Sequence, residues 1–446
     1  MYKKILIANR GEIAVRIIRA CREMGIKTVS VHSTADAEAL HVQLSDESLC
    51  IGEPASKDSY LKKATIISAA EITGAEAIHP GYGFLAEDGN FVEMCNASGI
   101  DFIGPSAEII SKMGDKVTAR RIAEAAGCPT TPGSKDAIHD SETMKKMAKE
   151  IGFPVIIKAS AGGGGRGMRI VHSMSGLVNA YETAKAEALA CFNNDTVFVE
   201  KYIEGPRHIE VQLLGDQHGN IIHLGDRDCS IQRRNQKLIE EAPATGLSDD
   251  LRERIHQAAI RVAKAVDYFS AGTIEFLVDD QENFYFMEMN TRLQVEHPVS
   301  EMITGVDIVK EMINVAAGEK LAYTQEDIKF TGHAIECRIN AEDPESFIPS
   351  PGLITDYHAP GGFGVRVDSA AYQGWNIPPY YDSMIAKVIT YGNDRNSAIR
   401  KMLGALDEYV VEGINITLPL HIRILRSLRF QQGKLTTAFL KNFVKM

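Results

Sequence analysis

Val155-Ile156-Ile157-Lys158-Ala159-Ser160-Ala161-Gly162-Gly163-Gly164-Gly165-Arg166-Gly167 reads as a β-branched strand that delivers one lysine to a glycine-dense turn. Such a segment sets an ammonium and several bare backbone N–H groups against the same polyphosphate. A flexible surface hairpin is the plain alternative, but a hairpin needs only one or two glycines, and the unbroken run Gly162-Gly163-Gly164-Gly165 is costly to order unless a ligand holds it. The pattern G-x-x-x-x-G-K-[ST] is absent, because Met168-Arg169 follows Gly167 and the lysine precedes the glycines. Near the N-terminus Ile5-Leu6-Ile7-Ala8 reads as a first strand, but Asn9-Arg10-Gly11-Glu12 supplies a single glycine where a dinucleotide fingerprint needs three. The pattern leaves a nucleotide under a glycine-rich flap, with the strand lysine bonded to phosphate oxygen.

A chain of 446 residues, 44% of them hydrophobic, is long enough for about three domains with well-filled cores. The formal net charge of −11 speaks against a nucleic acid partner, while leaving room for a local basic pocket around one anionic ligand. Cysteines at 21, 50, 95, 128, 191, 229 and 337 form no C-x-x-C pair, so buried reduced thiols in a reducing compartment account for them better than zinc or disulfides. Met1-Tyr2-Lys3-Lys4 leads straight into a short strand without the features of a signal peptide, and no apolar stretch is long enough to span a bilayer. The expectation is a cytoplasmic protein that engages neither membrane nor nucleic acid.

The N-terminal third alternates short apolar strands at 5–8, 28–31, 77–78 and 102–103 with amphipathic segments such as 13–24, the rhythm of a parallel α/β sheet. His79-Pro80-Gly81-Tyr82-Gly83-Phe84-Leu85 follows one of these strands. It therefore lies at the carboxyl edge of the sheet, where open α/β folds bind ligands, unless it is only a structural turn. After a break at Cys128-Pro129-Thr130-Thr131-Pro132-Gly133-Ser134, a small module carries the flap between helices at 142–150 and 176–190 and closes with a strand at 196–199. The remainder reads as a larger α+β domain.

Residues 273–278 and 284–290 read as two strands joined by a polar turn, so Glu275 and Glu288 converge across an antiparallel pair. Facing carboxylates among apolar neighbours call for a cation, and oxygen ligands beside a phosphate site favour magnesium or manganese; solvated carboxylates on an outer face are the alternative. Asn290 points to the same face as Glu288 and adds a neutral oxygen. Asn290, Arg292, Gln294 and Glu296 share a face if the chain stays extended, until His297-Pro298 stops the strand. An arginine fork there suits a planar oxyanion such as bicarbonate, and Glu296 is near enough in sequence to take its proton. Arg338 alternates onto the polar side of another strand and can meet the same pocket. Gln232-Arg233-Arg234-Asn235-Gln236-Lys237 is a basic cluster in an acidic chain, read as anion neutralisation or as a solvated loop. Glu200, Lys201 and His208 are candidates for the adenine and ribose edge.

Taken with Ala8 through Ala14, His79 through Phe84, Lys158 through Gly167, Arg227 through Arg234, Glu288 through His297 and Glu336 through Pro344, the chain resembles the biotin carboxylase component of biotin-dependent carboxylases, such as bacterial acetyl-CoA carboxylase, a family with the ATP-grasp fold. The likeness runs from Ile5 to about Lys434. It implies a Rossmann-like α/β N-terminal (pre-ATP-grasp) domain over 1–113, ATP-grasp α+β structure over 114–330 with a mobile glycine-rich lid at about 131–203, and a C-terminal biotin carboxylase α+β region over 331–446.

The resemblance also implies a reaction: ATP-dependent carboxylation of a biotin ureido nitrogen by bicarbonate through carboxyphosphate, the first half-reaction of acetyl-CoA carboxylase on the way to malonyl-CoA and fatty acids. By matched positions, Lys116 and Lys158 hold ATP phosphates, and Glu200, Lys201 and His208 line the nucleotide pocket. Glu275, Glu288 and Asn290 place divalent ions, two being expected. Lys237, Arg292, Gln294 and Val295 surround bicarbonate, Glu296 is the base and Arg338 stabilises the biotin enolate. Tyr82, Gln232, Asn235 and the flap glycines Gly163, Gly164, Gly165 and Gly167 complete the expected binding set. Asn235 and Thr437-Ala438 depart from the bacterial pattern at positions near the nucleotide, which bears on its affinity. No biotin-accepting Met-Lys-Met segment occurs, so biotin is expected on a separate carrier protein, with carboxyltransferase subunits as further partners. Which acyl acceptor they serve is left open. Arg19, Glu23, Phe363 and Arg366 match dimer contacts of bacterial relatives and imply a homodimer.

Overall fold

The computed structural model describes residues 1–134, 136–159, 168–192 and 195–443. Five short strands, β1 (Lys4–Ile7), β2 (Lys27–Ser33), β3 (Glu47–Gly52), β4 (Ala77–His79) and β5 (Asp101–Phe102), form a parallel sheet in the order β3-β2-β1-β4-β5. Their apolar runs suit strands covered on both faces. Ile5, Leu6 and Ile7 are fully buried, and the Gly11–Glu23 helix packs Ile13, Ile17 and Ile18 against Ile5 and Ile7, while Leu6 faces the opposite core. The loop after β4 is fixed by Asn9, whose side-chain amide donates to the carbonyls of Pro80 and Tyr82, each at 2.7 Å. Gly81 adopts φ +63, and a Cβ there would stand 3.0 Å from that same amide nitrogen, so the turn needs glycine.

A second unit begins with Thr131 and Pro132. Strands β6 (Val155–Ala159), β7 (Met168–Val171) and β8 (Val197–Lys201) make an antiparallel sheet in the order β7-β6-β8. Val155 and Ile157 turn into a core with Met144, Leu177 and Val199, which leaves Lys158 on the opposite face by the strand's period of two. The flanking helices, Ser141–Ile151 and Met174–Phe192, correspond to the segments expected at 142–150 and 176–190. Asp140 caps the first, accepting from the N–H groups of Glu142 and Thr143 at 3.0 and 2.8 Å. The glycine run, including Gly163, Gly164, Gly165 and Gly167, lies outside the described residues.

The largest element is an antiparallel sheet of eight strands. It runs β13 (Phe284–Asn290), β12 (Ser270–Val278), β9 (Arg207–Gly215), β10 (Ile221–Arg233), β11 (Gln236–Ala242), β14 (His333–Asn340), then Met384–Gly392 and Val365–Ser369. β11 pairs with β14 from Ile239↔Cys337 to Ala242↔Ala334, so the sheet crosses the expected 330/331 boundary without a break. The Asp249–Lys264 helix covers one face through Leu251, Ile255 and Val262. Ile13, Ile17 and Ile18 share a further core with Leu214, Leu224, Val309 and Met312, which ties the N-terminal sheet to the large one. Among the described residues no helix is long and apolar enough to cross a membrane.

One expectation needs correction. The chain does not stay extended from Asn290 to Glu296: the strand ends at Asn290, and His297-Pro298 opens the His297–Thr304 helix instead of ending a strand. Proline at the start of a helix gives up no hydrogen bond and already has the required φ. The basic cluster is exposed at Arg234, Asn235 and Gln236 and turned inward at Gln232 and Lys237. It is the tip of the β10–β11 hairpin, where Arg234 and Asn235 take φ +48 and +66 in a two-residue turn and Gln232 pairs with Lys237.

Candidate active site

The polar face of the large sheet carries the chemistry. In β9, Ile209, Val211 and Leu213 enter the helix-covered core, so His208, Glu210 and Gln212 alternate onto the other side. Arg227 of β10 lies beneath them, fully buried. Its guanidinium donates to Glu210 at 2.5 Å, Gln212 at 2.7 Å, Ser300 at 3.0 Å and Thr273 at 3.1 Å. A buried cation with this many acceptors is a rigid footing for the carboxylates above it.

Lys237 stands over that footing. Its ammonium meets Glu210 Oε2 at 2.6 Å, Glu275 Oε1 at 2.9 Å and Glu296 Oε1 at 2.5 Å. Burial works against the charge, but the three carboxylates outweigh it and hold Lys237 well above the ordinary lysine range. Arg338 enters from β14, placing a guanidinium nitrogen 2.5 Å from Glu240 and 3.0 Å from Glu296 Oε2. Glu296 itself is fully buried, which disfavours its charge; Lys237, Arg338 and Arg227 reverse that and hold the carboxyl well below its usual range.

Although the 291–296 segment leaves the sheet, its side chains still converge. Arg292 donates to Gln294 Oε1 and Asn290 Oδ1, each at 3.2 Å, and to Glu87 Oε2 at 2.7 Å. Gln294 reaches Glu275 at 3.5 Å. The Val295 carbonyl faces the other way and accepts the Lys387 ammonium at 2.8 Å. One wall therefore holds a guanidinium, an amide, an ammonium and a base, a donor set suited to a small planar anion.

Glu275 and Glu288 are in direct register across β12 and β13. Their surroundings differ. Burial disfavours the charge of Glu275, but Lys237 and His208, the latter 3.0 Å from Oε2, hold its carboxyl below the usual range, and Asn290 donates to it at 2.9 Å. Burial and then the facing Glu275 push Glu288 upward, with the Lys116 ammonium near enough to oppose them. A divalent cation at the pair fits this set, since it would relieve Glu288 between two carboxylates, while the Asn290 oxygen here faces Arg292 and its amide nitrogen faces Glu275. The neighbouring groups His208–Glu210–Glu275 and Glu210–Cys229–Glu296 are close enough to ligate an ion but are already neutralised by Lys237 and Arg227.

The expected nucleotide side lies in the small module. Lys158 reaches Glu200 Oε2 at 2.6 Å, while Arg120 and Thr131 approach the same carboxylate at 3.3 and 3.2 Å. Lys116 opens the Lys116–Ala125 helix. The Lys201 ammonium is bound to the carbonyls of Gly152 and Phe153 at 3.1 and 2.9 Å, facing its own module's backbone. His208 is held between Glu275 and Gln232, whose amide lies 3.2 Å from its ring, so it belongs with the carboxylate cluster. Asn235 is exposed at the hairpin tip. Tyr82 bonds to Glu12 on the helix after β1.

Sequence reasoning missed Glu87, Glu210, Arg227, Glu240 and Lys387. The alternation of His208, Glu210 and Gln212 with Ile209, Val211 and Leu213 was a usable strand signal for Glu210. Glu87 and Lys387 act across more than 90 residues of sequence, and no local pattern announces them.

Domain families match along the chain: the biotin carboxylase N-terminal domain over residues 1–110, the carbamoyl-phosphate synthase L chain ATP-binding domain over 115–324, and the biotin carboxylase C-terminal domain over 336–442. The chain is 57% identical to biotin carboxylase 1 of Bacillus subtilis over 445 residues, covering 99% of each. Its fold matches the Campylobacter jejuni biotin carboxylase β,γ-ATP complex with a TM-score of 0.96 at 53% identity, over 99% of both chains. It also matches the biotin carboxylase domain dimer of Hydrogenobacter thermophilus 2-oxoglutarate carboxylase, bound to MgADP, ADP and bicarbonate, with a TM-score of 0.94 at 52% identity over 99% of this chain and 98% of that one.

Proposed function

We infer the roles of individual residues from one premise: the chain belongs to the biotin carboxylase family, and its reaction is the ATP- and bicarbonate-dependent carboxylation of biotin. The observation that carries the assignment is Glu296, a fully buried carboxylate held between Lys237 and Arg338. In that state it is charged but a weak base. Bicarbonate bound among Arg292, Gln294 and Lys237, and the biotin ureido group at Arg338, would draw both cations toward substrate and raise the affinity of Glu296 for a proton.

Glu296 then takes the bicarbonate proton as the bicarbonate oxygen attacks the γ-phosphorus of ATP, giving carboxyphosphate and ADP. Lys116 and Lys158 hold the phosphates, with Glu200, Lys201 and the flap glycines around the nucleotide. Glu275, Glu288 and Asn290 would hold Mg2+ or Mn2+, two ions in the family's arrangement, which neutralise phosphate charge when bound. The C–O bond of carboxyphosphate breaks, the released phosphate takes the biotin ureido N–H proton, and Arg338 faces the negative oxygen of the resulting enolate while the biotin nitrogen takes up the carboxyl group, yielding N-carboxybiotin and phosphate. Biotin arrives on a carrier protein, and carboxyltransferase subunits pass the carboxyl group on, to acetyl-CoA in the acetyl-CoA carboxylase arrangement. The working unit is a homodimer.

Paired measurements test these roles: nucleotide dissociation constants by calorimetry, and ADP release with and without free biotin. Arg338→Ala is expected to leave nucleotide binding nearly intact while biotin carboxylation falls by at least about two orders of magnitude, the scale of losing one charge aimed at a developing anion. Glu296→Ala should do likewise. Biotin carboxylation by Arg338→Ala at the unmodified rate would overturn the enolate role.

A further inference from the structure

Lys387 has no part in this scheme, yet it connects the sheet to the 291–296 segment. It lies in the middle of the Met384–Gly392 strand and is completely buried. Its ammonium donates to the Val295 carbonyl at 2.8 Å and stands 3.2 Å from Glu12 Oε1, with Asp368 Oδ2 at 3.9 Å. Glu12 also accepts the Tyr82 hydroxyl. Burial opposes the lysine's charge, but Glu12 and then Glu336 and Asp368 keep it charged. A charged lysine this far from water is expensive to maintain, and the carbonyl that accepts from it, that of Val295, is at the site.

That carbonyl belongs to the peptide joining Val295 to Glu296. Because a peptide is planar and trans, holding its oxygen fixes the plane from which Glu296 departs and turns the Glu296 N–H the opposite way. No strand ladder supports the chain here, since β13 ends at Asn290. Glu12 sits on the first helix and Lys387 on the large sheet, so the lysine that holds the segment is itself braced by a second packed element. We propose that Lys387 is a positioning residue for the reaction: through the Val295 carbonyl it aims Glu296 and the adjoining Gln294–Val295 backbone at bicarbonate. This rests on the assignment of Gln294, Val295 and Glu296 to bicarbonate given above.

The test compares Lys387→Met with the double variant Glu12→Gln/Lys387→Met, which leaves no unbalanced Glu12. KM and kcat are measured separately for ATP and bicarbonate, together with the melting temperature. In Lys387→Met, kcat/KM for bicarbonate should fall at least about tenfold while KM for ATP stays within about twofold. The double variant should recover thermal stability without recovering bicarbonate kinetics, and it carries the test should the single variant fail to fold. Bicarbonate kinetics restored in the double variant would reduce Lys387 to the counter-ion of Glu12, and equal losses toward ATP and bicarbonate would mark general loosening; either result overturns the proposal. Absence of bicarbonate dependence in the unmodified enzyme would instead remove the underlying assignment, and that failure is visible before any variant is made.

Discussion

Glu275 and Glu288 face each other across β12 and β13, and Glu275 is in direct contact with Lys237 at 2.9 Å and His208 at 3.0 Å, while burial and Glu275 push Glu288 upward against the opposing charge of Lys116. In the proposed function Glu288 is a ligand of the external ion. Glu288→Gln should therefore raise the magnesium concentration needed for half-maximal turnover by about tenfold or more, with little loss of folding stability, because a repulsive partner is removed. A magnesium titration of ADP release reads this out; an unchanged midpoint would reject Glu288 as a ligand.

Lys158 is paired with Glu200 at 2.6 Å, and burial of Glu200 is offset by that lysine. With Lys158 as the proposed phosphate ligand, Lys158→Ala removes that ligand and also leaves the buried Glu200 carboxylate, among the described residues, with Arg120 and Thr131 alone. The ATP dissociation constant should rise by about tenfold or more and turnover should nearly vanish, whereas Lys158→Ala/Glu200→Gln should recover part of the binding and little of the turnover. Calorimetry with ATP separates these outcomes.

Glu240 predicts a pH effect. Burial, with Glu296 adding to it and Arg338 opposing it, pushes its carboxyl up to about 7. In the β11–β14 register it stands opposite Glu336, whose two oxygens have no hydrogen-bond partner and which burial likewise pushes up. A raised folded-state value means that the stabilising contribution is present below the unfolded value near 4.3 and is lost as pH rises through about 7. The melting temperature should therefore fall between about pH 5 and about pH 8 by a component that Glu240→Gln lacks. Parallel melting curves for the two proteins would count against a proton held at Glu240.

Phe363 is 93% exposed beside the Pro360-Gly361-Gly362 turn, with the Lys401 ammonium 5.2 Å from its ring. Arg366 is already committed within the chain, to Glu301 and Asp368, each at 2.7 Å. If the homodimer forms through this face, Phe363 is its apolar contact and Arg366 mainly a scaffold. Sedimentation at tens of micromolar should show a dimer that Phe363→Ala shifts toward monomer. A purely monomeric unmodified chain would exclude it.

The sequence was readable where burial follows local periodicity. The hairpin of Glu275 and Glu288, the short parallel strands and the small module all carry apolar alternation long enough to identify, and all are present. It was least readable where charge is buried. Arg227, Glu210, Glu240 and Lys237 look like surface residues one at a time; the registers of β9 with β10 and of β11 with β14 show Glu210 meeting Arg227 and Glu240 meeting Arg338 on neighbouring strands, while Lys237 reaches past its neighbours to Glu210, Glu275 and Glu296. The run from Asn290 to Glu296 shows the converse. Its backbone conformation was misread, while its side chains do meet, because Arg292 links Asn290 and Gln294 directly.

The pairing of β11 with β14 has a consequence for any attempt to isolate the nucleotide-binding half. Cutting the chain near residue 330 would turn β11 into an edge, baring the N–H and C=O groups that Ile239 through Ala242 now share with β14. Ile239 would lose the cover of Cys337 and its neighbours. A long unprotected edge of this kind invites pairing with other chains, so the fragment should aggregate. It would also retain Glu296 without Arg338, a buried base stripped of one of the cations that hold its charge.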